Sequence, residues 1–122
     1  MGQKKTIPSQ QNGPGLQILS NGVMTGTAVL TSQTFNMQNL DNSGLQMEWT
    51  GSPVGTIAIK GSINNVTFHT LTFNPAFAQP NGGPAGELIS LNQVPFPYIQ
   101  VVYTNTSGTG TLNIWASGKD LN

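Results

Sequence analysis

The stretch "GLQMEWTGSPVGTIAIKGS", residues 44–62, carries the reading of the fold. Side chains along a β-strand point alternately to its two faces. Leu45, Met47 and Trp49 therefore share one face, and Gln46, Glu48 and Thr50 the other. Further on, Ile57 and Ile59 oppose Thr56, Ala58 and Lys60. Both segments read as half-buried strands. "GSPVG" (51–55) between them has the length of a hairpin loop and keeps Pro53 out of the ladder. Setting Trp49 against Ile57 pairs Met47 with Ile59, Glu48 with Ala58 and Gln46 with Lys60. In that register Trp49 is inward and Glu48 outward. Lys60 lies diagonal to Glu48, where an exposed ion pair contributes little.

The same test applies to residues 98–118. Ile99, Val101 and Tyr103 form one face, and Leu112, Ile114 and Ala116 match it. Pairing Tyr103 with Leu112, Val101 with Ile114 and Ile99 with Ala116 centres a turn between Ser107 and Gly108, a turn-prone pair. The opposite face then joins Tyr98, Gln100 and Val102 to Asn113 and Trp115. Such a mixed aromatic patch suits a protein or saccharide partner. The plainer alternative packs Trp115 under a loop or an N-terminal arm.

Outward from these pairs, further short β-rich segments are broken by turn signals: 23–30, 31–37, 65–73 and 88–93. Seven to eight short strands at roughly ten-residue spacing predict an all-β chain, an antiparallel β-sandwich of jelly-roll type. Residues 1–17, rich in Gly, Pro, Gln and Asn, read as an extended N-terminal arm, and 18–122 as the sandwich domain. "NPAFAQPNGGPAGE" (74–87) is a Pro/Gly loop too long for a tight turn and a candidate contact surface.

Of 122 residues, four are Lys, none is Arg and four are Asp or Glu, a charged share of 7% against a usual ~25%. Asn, Gln, Ser and Thr supply 46 residues instead. A net charge of zero gives no pull toward nucleic acid and favours association with copies or a protein partner. The absence of Cys removes disulfides and thiolate metal sites. No apolar run approaches the ~18 residues a membrane span needs. Gly2 and Thr6 fit the myristoylation pattern M-G-x-x-x-[ST], though the tract reads more simply as a polar arm.

The chemistry-bearing residues are sparse. His69, the one histidine, alternates with apolar neighbours in "TFHTLTF", and no G-x-S-x-G motif accompanies it. A structural or surface role is expected. The acids Asp41, Glu48, Glu87 and Asp120 form no sequence pair for glycoside hydrolysis. "NLDNSG" (39–44) is poor in carboxylates for calcium, and Asp41 reads as an Asx-turn residue. The sequons at Asn65 and Asn105 are no more than chance supplies. No enzyme, cofactor or metal is expected.

The segments "NLDNSGLQMEWTGSPVGTIAIKGSINNVTFHTLTF" (39–73) and "LNQVPFPYIQVVYTNTSGTGTLNIWASGK" (91–119) resemble a group of small proteins encoded by tailed bacteriophages. The likeness lies in the order Asp-Asn, aromatic strand, Gly-Thr strand, Gly-Ser, Pro-Tyr-Ile strand, "SGTGTLN" and a terminal Ser-Gly-Lys. Phe68-His69 fits an aromatic-then-polar step in that group. The resemblance implies a virion-associated β-sandwich: a capsid decoration or cement protein, a head fibre base or a tail component. It carries over no catalytic residue. With the low charge, which favours packing against copies, the expectation is a homo-oligomer, such as a trimer, bound to the major capsid protein or another virion protein. The candidate anchors are Lys4, Lys5 and Ile7 in the arm, Phe77 in the loop, and Tyr98, Gln100, Val102 and Trp115. A carbohydrate-binding or host-adhesion module is the second expectation, with a glycan taken by Trp115, Tyr98, Gln100 and Asn113.

Overall fold

The computed structural model describes residues 16–38, 40, 42–74, 76–92 and 94–119. Within them the chain forms nine strands and no helix: β1 (Leu16–Met24), β2 (Val29–Thr31), β3 (Phe35–Asn36), β4 (Asn42–Gly51), β5 (Val54–Ser62), β6 (His69–Thr70), β7 (Ala85–Ser90), β8 (Tyr98–Ser107) and β9 (Gly110–Lys119). They make two antiparallel sheets. The first has the order β1-β9-β4-β7; the second has β2-β8-β5-β6, with β3 also paired to β8. Buried side chains from both sheets, among them Leu45, Met47, Trp49, Ile57, Ile59, Val101, Tyr103 and Ile114, join in one hydrophobic cluster. Full burial of such a side chain contributes about 1.5–3 kcal/mol, so the two sheets are held face to face by this layer.

The inward faces are those expected, but neither expected hairpin exists. β4 and β5 lie in different sheets, as do β8 and β9. Trp49 stands opposite Leu112, and Ile57 opposite Tyr103. The pairing instead joins the two stretches. β4 and β9 run side by side from Asn42–Lys119 to Gly51–Gly110, and β5 and β8 continue from Val54–Ser107 to Ser62–Tyr98. Residues 42–62 and 98–119 thus form one long two-stranded ribbon, folded over at its middle so that its halves enter opposite sheets. Trp49 and Ile57 share the core as residues of facing sheets.

The fold-over is built from residues that resembled hairpin loops. Gly51 and Gly108 take φ of +81° and +72°, where a side chain would be strained. A Cβ on Gly108 would also run into the Ser52 carbonyl. Ser52 N–H donates to Thr109 O at 2.8 Å, tying the two corners together. Pro53, without an N–H to satisfy, is buried between them.

The remaining segments also differ from expectation. Residues 23–30 are not one strand: β1 ends at Met24, a turn closed by Ala28 N–H on Thr25 O (3.0 Å) follows, and β2 begins at Val29. Gly26 in that turn has φ +55°, which an alternation pattern cannot register. β1 itself starts at Leu16, two residues inside the expected arm. The segment 31–37 divides between the end of β2 at Thr31 and the short β3, and 65–73 shortens to β6 because residues 63–67 form a bent loop. β7 begins at Ala85, inside the expected Pro/Gly loop. That loop does not stand free. Gln79 both accepts from the Ile57 N–H and donates to Ile57 O (3.1 Å), and Gly55 N–H donates to Pro80 O at 3.2 Å. It thereby covers the edge of β5 beyond the reach of the two-residue β6, leaving fewer open backbone groups for stray pairing.

Candidate functional site

The two-sheet arrangement divides the expected aromatic patch. Tyr98, Gln100 and Val102 alternate with buried Ile99, Val101 and Tyr103 on β8, so they lie on the outer face of the second sheet. Trp115 alternates with buried Ile114 and Ala116 on β9, which places it on the outer face of the first. The two groups are on opposite sides of the molecule. Glu48 and Lys60 are separated in the same way: Glu48 pairs with Asn113, and Lys60 with Gln100 and Thr70. Phe77 is half-buried against the core, edge-to-face with Phe73 at 5.8 Å and 76°. Lys4, Lys5 and Ile7, like Gly2, Thr6, Asp41 and Asp120, lie outside the described residues.

Around Trp115 the sheet gathers a different set. Its cross-strand neighbours are Gln17 on β1 and Gln46 on β4, and Leu88 on β7 stands opposite Gln46. Leu88 is 79% exposed. One step along, Asn113 faces Glu48, and Glu48 faces Gly86. Hydrogen bonds link these side chains. Gln17 Nε2 donates to Asn113 Oδ1 at 2.8 Å, and the Asn21 N–H donates to the same oxygen at 2.8 Å. Gln46 Nε2 donates to Glu48 Oε2 at 2.7 Å. A hollow of about 310 Å³ lies along Gln46, Glu48, Gly86 and Leu88. Sequence reasoning placed Asn113 beside Trp115 but missed Gln17, Gln46, Glu48 and Leu88. The alternation Leu16-Gln17-Ile18 marks Gln17 as an outward strand residue, and that signal was available.

A second surface feature is the loop after β5. Asn64 Oδ1 accepts from Ser62 Oγ (3.0 Å), Val66 N–H (2.9 Å) and Thr67 N–H (3.0 Å), and Ser62 Oγ accepts from Asn65 N–H at 3.0 Å. Asn65 takes φ +59°, which Asn tolerates better than most residues. This scaffold holds Ile63 and Val66 in solvent, 72% and 81% exposed. Beside it lies an open hollow of about 270 Å³ lined in part by Leu71 and Phe96.

His69 is exposed on β6 opposite Gly61. Among the described residues no three His, Asp or Glu side chains gather in a group that would hold a metal ion. In the core, burial pushes the Tyr103 hydroxyl above its ordinary 10.0, a structural effect. That hydroxyl donates to Asn105 Oδ1 at 2.7 Å in the core. No family model, curated protein or solved structure matches the chain.

Proposed function

We propose that this chain is a structural virion protein, a capsid decoration or cement protein that binds the outer surface of a major capsid shell. We assign its sandwich to the jelly-roll class, with β3 as a short accessory strand. The strand orders β1-β9-β4-β7 and β2-β8-β5-β6, and a long ribbon folded into both sheets, support that assignment. Jelly rolls build capsid and lectin domains alike, so the fold by itself selects neither role.

The observation that carries the reading is the Ile63/Val66 loop. A chain that keeps two branched apolar side chains in water, on a loop stiffened by its own Asn and Ser side chains, has prepared a contact. Its rigidity lowers the ordering cost on binding. The mechanism is mechanical: copies, assembled as trimers, bridge capsomers through apolar anchors ringed by neutral amide and hydroxyl hydrogen bonds. Lys4, Lys5 and Ile7 belong to this reading as secondary anchors that add little to the affinity supplied by the Ile63/Val66 loop.

Mass spectrometry of purified particles tests it by copy number. Hundreds of copies per particle are expected. A few to a dozen would move the chain to the tail, and absence from particles would overturn the reading. Binding to expanded empty heads gives the residue-level test. The double variant Ile63→Asp/Val66→Asp loses affinity by at least about tenfold at an unchanged unfolding midpoint. Removal of residues 1–15 weakens the same binding by less than the double variant does.

A further inference from the structure

We propose that the outer face of the first sheet is a saccharide-binding surface with Trp115 as its stacking platform. The proposal is independent of the virion assignment, since it concerns a different face and a different ligand.

A pyranose ring offers two kinds of surface: an apolar face of C–H groups, and a rim of hydroxyls that both donate and accept. A protein site for it needs an accessible aromatic ring beside polar groups fixed in place. Trp115 lies half-buried on the outer face of the sheet, so part of the residue remains accessible there. It is flanked on the two neighbouring strands by Gln17 and Gln46, whose Cβ atoms stand about 4.5–5.5 Å away in a directly opposed register.

The polar groups are held before any ligand arrives. Gln17 is tied to Asn113, and Gln46 to Glu48, at 2.8 and 2.7 Å. Each pair leaves capacity unspent. Among the described residues, Asn113 keeps its amide N–H groups, Gln17 and Gln46 keep their carbonyl oxygens, and Glu48 keeps its second oxygen. Fixed amides and a carboxylate lose little rotamer entropy when a hydroxyl binds.

Relief favours a chain rather than a single unit. Gly86 puts no side chain opposite Glu48, and the hollow of about 310 Å³ opens there, bounded by Leu88. A sugar stacked on Trp115 would extend its neighbour across Gln46 into that hollow. The charge of the face narrows the class. Glu48 and Glu87 both line the hollow beside the platform, so uronic and sialic acids are repelled there while neutral and amino sugars are accepted.

The two tryptophans make the test internally controlled. Trp49 is 2% exposed with its Nε1–H donated to Gly83 O at 3.1 Å, so its indole resonance reports only the core. The full chain, labelled with ¹⁵N, is titrated in turn with cellohexaose, chitohexaose, xylohexaose and maltohexaose. The Trp115 indole resonance is expected to move with at least one of them while the Trp49 resonance stays in place. Trp115→Ala then weakens that binding by at least about tenfold, and Trp115→Phe recovers part of it. Gln46→Ala weakens it several-fold and serves if Trp115→Ala does not fold. The proposal is overturned if the Trp115 resonance is unmoved by all four sugars, or if binding survives Trp115→Ala unchanged. It is also overturned if sedimentation shows self-association that Trp115→Ala abolishes, which would give the face to a second copy.

Discussion

Asn105 spends both ends of its side-chain amide inside the protein. Its Oδ1 accepts from the Tyr103 hydroxyl at 2.7 Å, and its Nδ2 donates to Gly26 O at 2.9 Å and Gly108 O at 3.2 Å. One buried residue therefore ties β8 to the β1–β2 turn and to the fold-over of the ribbon. In the sequence it opened a sequon beside the expected turn, because "TNTSG" carries no mark of burial; its 2% exposure goes with three partners, of which Gly26 is the one distant in sequence. Tyr103→Phe removes the donor and leaves a buried acceptor unpaired, at a cost of about 1–3 kcal/mol, read from urea unfolding midpoints. The pH dependence has a definite sign. Burial raises the Tyr103 hydroxyl above 10.0, so the unfolded chain gives up this proton first. Between 10.0 and the folded value the folded state binds more protons, and stability falls as pH rises through that window. Below it the contribution is constant. The native chain should lose more stability between pH 9 and pH 11 than Tyr103→Phe does. Equal losses would show that Tyr103 does not carry the alkaline limb.

At the scale of elements, what was legible and what was not separate cleanly. Alternation is a local property, and it placed Leu45, Met47, Trp49, Ile57, Ile59, Val101 and Ile114 in the core as found. Pairing is non-local. Any two strands with one apolar face can be set opposite with their apolar residues matched, so agreement between 44–50 and 55–61 could not select the hairpin over the ribbon. The turn signals were equally two-sided, since Gly51, Pro53 and Gly108 serve a fold-over as well as a loop. The candidate surface failed for that reason: Tyr98 and Trp115 were joined through a hairpin that does not form. Cysteine pairs test the pairing directly, because the chain has no Cys of its own. Thr50→Cys/Thr111→Cys and Thr56→Cys/Thr104→Cys occupy directly opposed positions of the ribbon. Both should oxidise to intramolecular disulfides within the usual Cα separation of about 4.4–6.8 Å. Gln46→Cys/Lys60→Cys, opposed only in the hairpin, should stay reduced in the folded chain. Ready bridging of that third pair, and not of the first two, would restore the hairpin.

For the whole molecule, the decisive property is how little charge it carries. Four Lys against four Asp and Glu, with no Arg, leave a surface of neutral amides and hydroxyls. Charged interfaces gain on-rate and register from long-range fields, and both fade as salt shortens the Debye length from ~10 Å at 0.1 M toward ~3 Å at 1 M. Contacts made by Ile63 and Val66, with neutral polar groups around them, have no such dependence. Apolar burial is instead slightly strengthened by salts excluded from the protein surface. Attachment to expanded heads should therefore change by less than about twofold between 50 and 500 mM sodium chloride, and should tighten modestly in sodium sulfate. Sedimentation with a fluorescently labelled chain measures both. A fall of tenfold or more across that range would mean that Lys4, Lys5 or Lys60 carries the attachment through acidic groups of the shell. The anchoring would then move from the Ile63/Val66 loop to the basic residues.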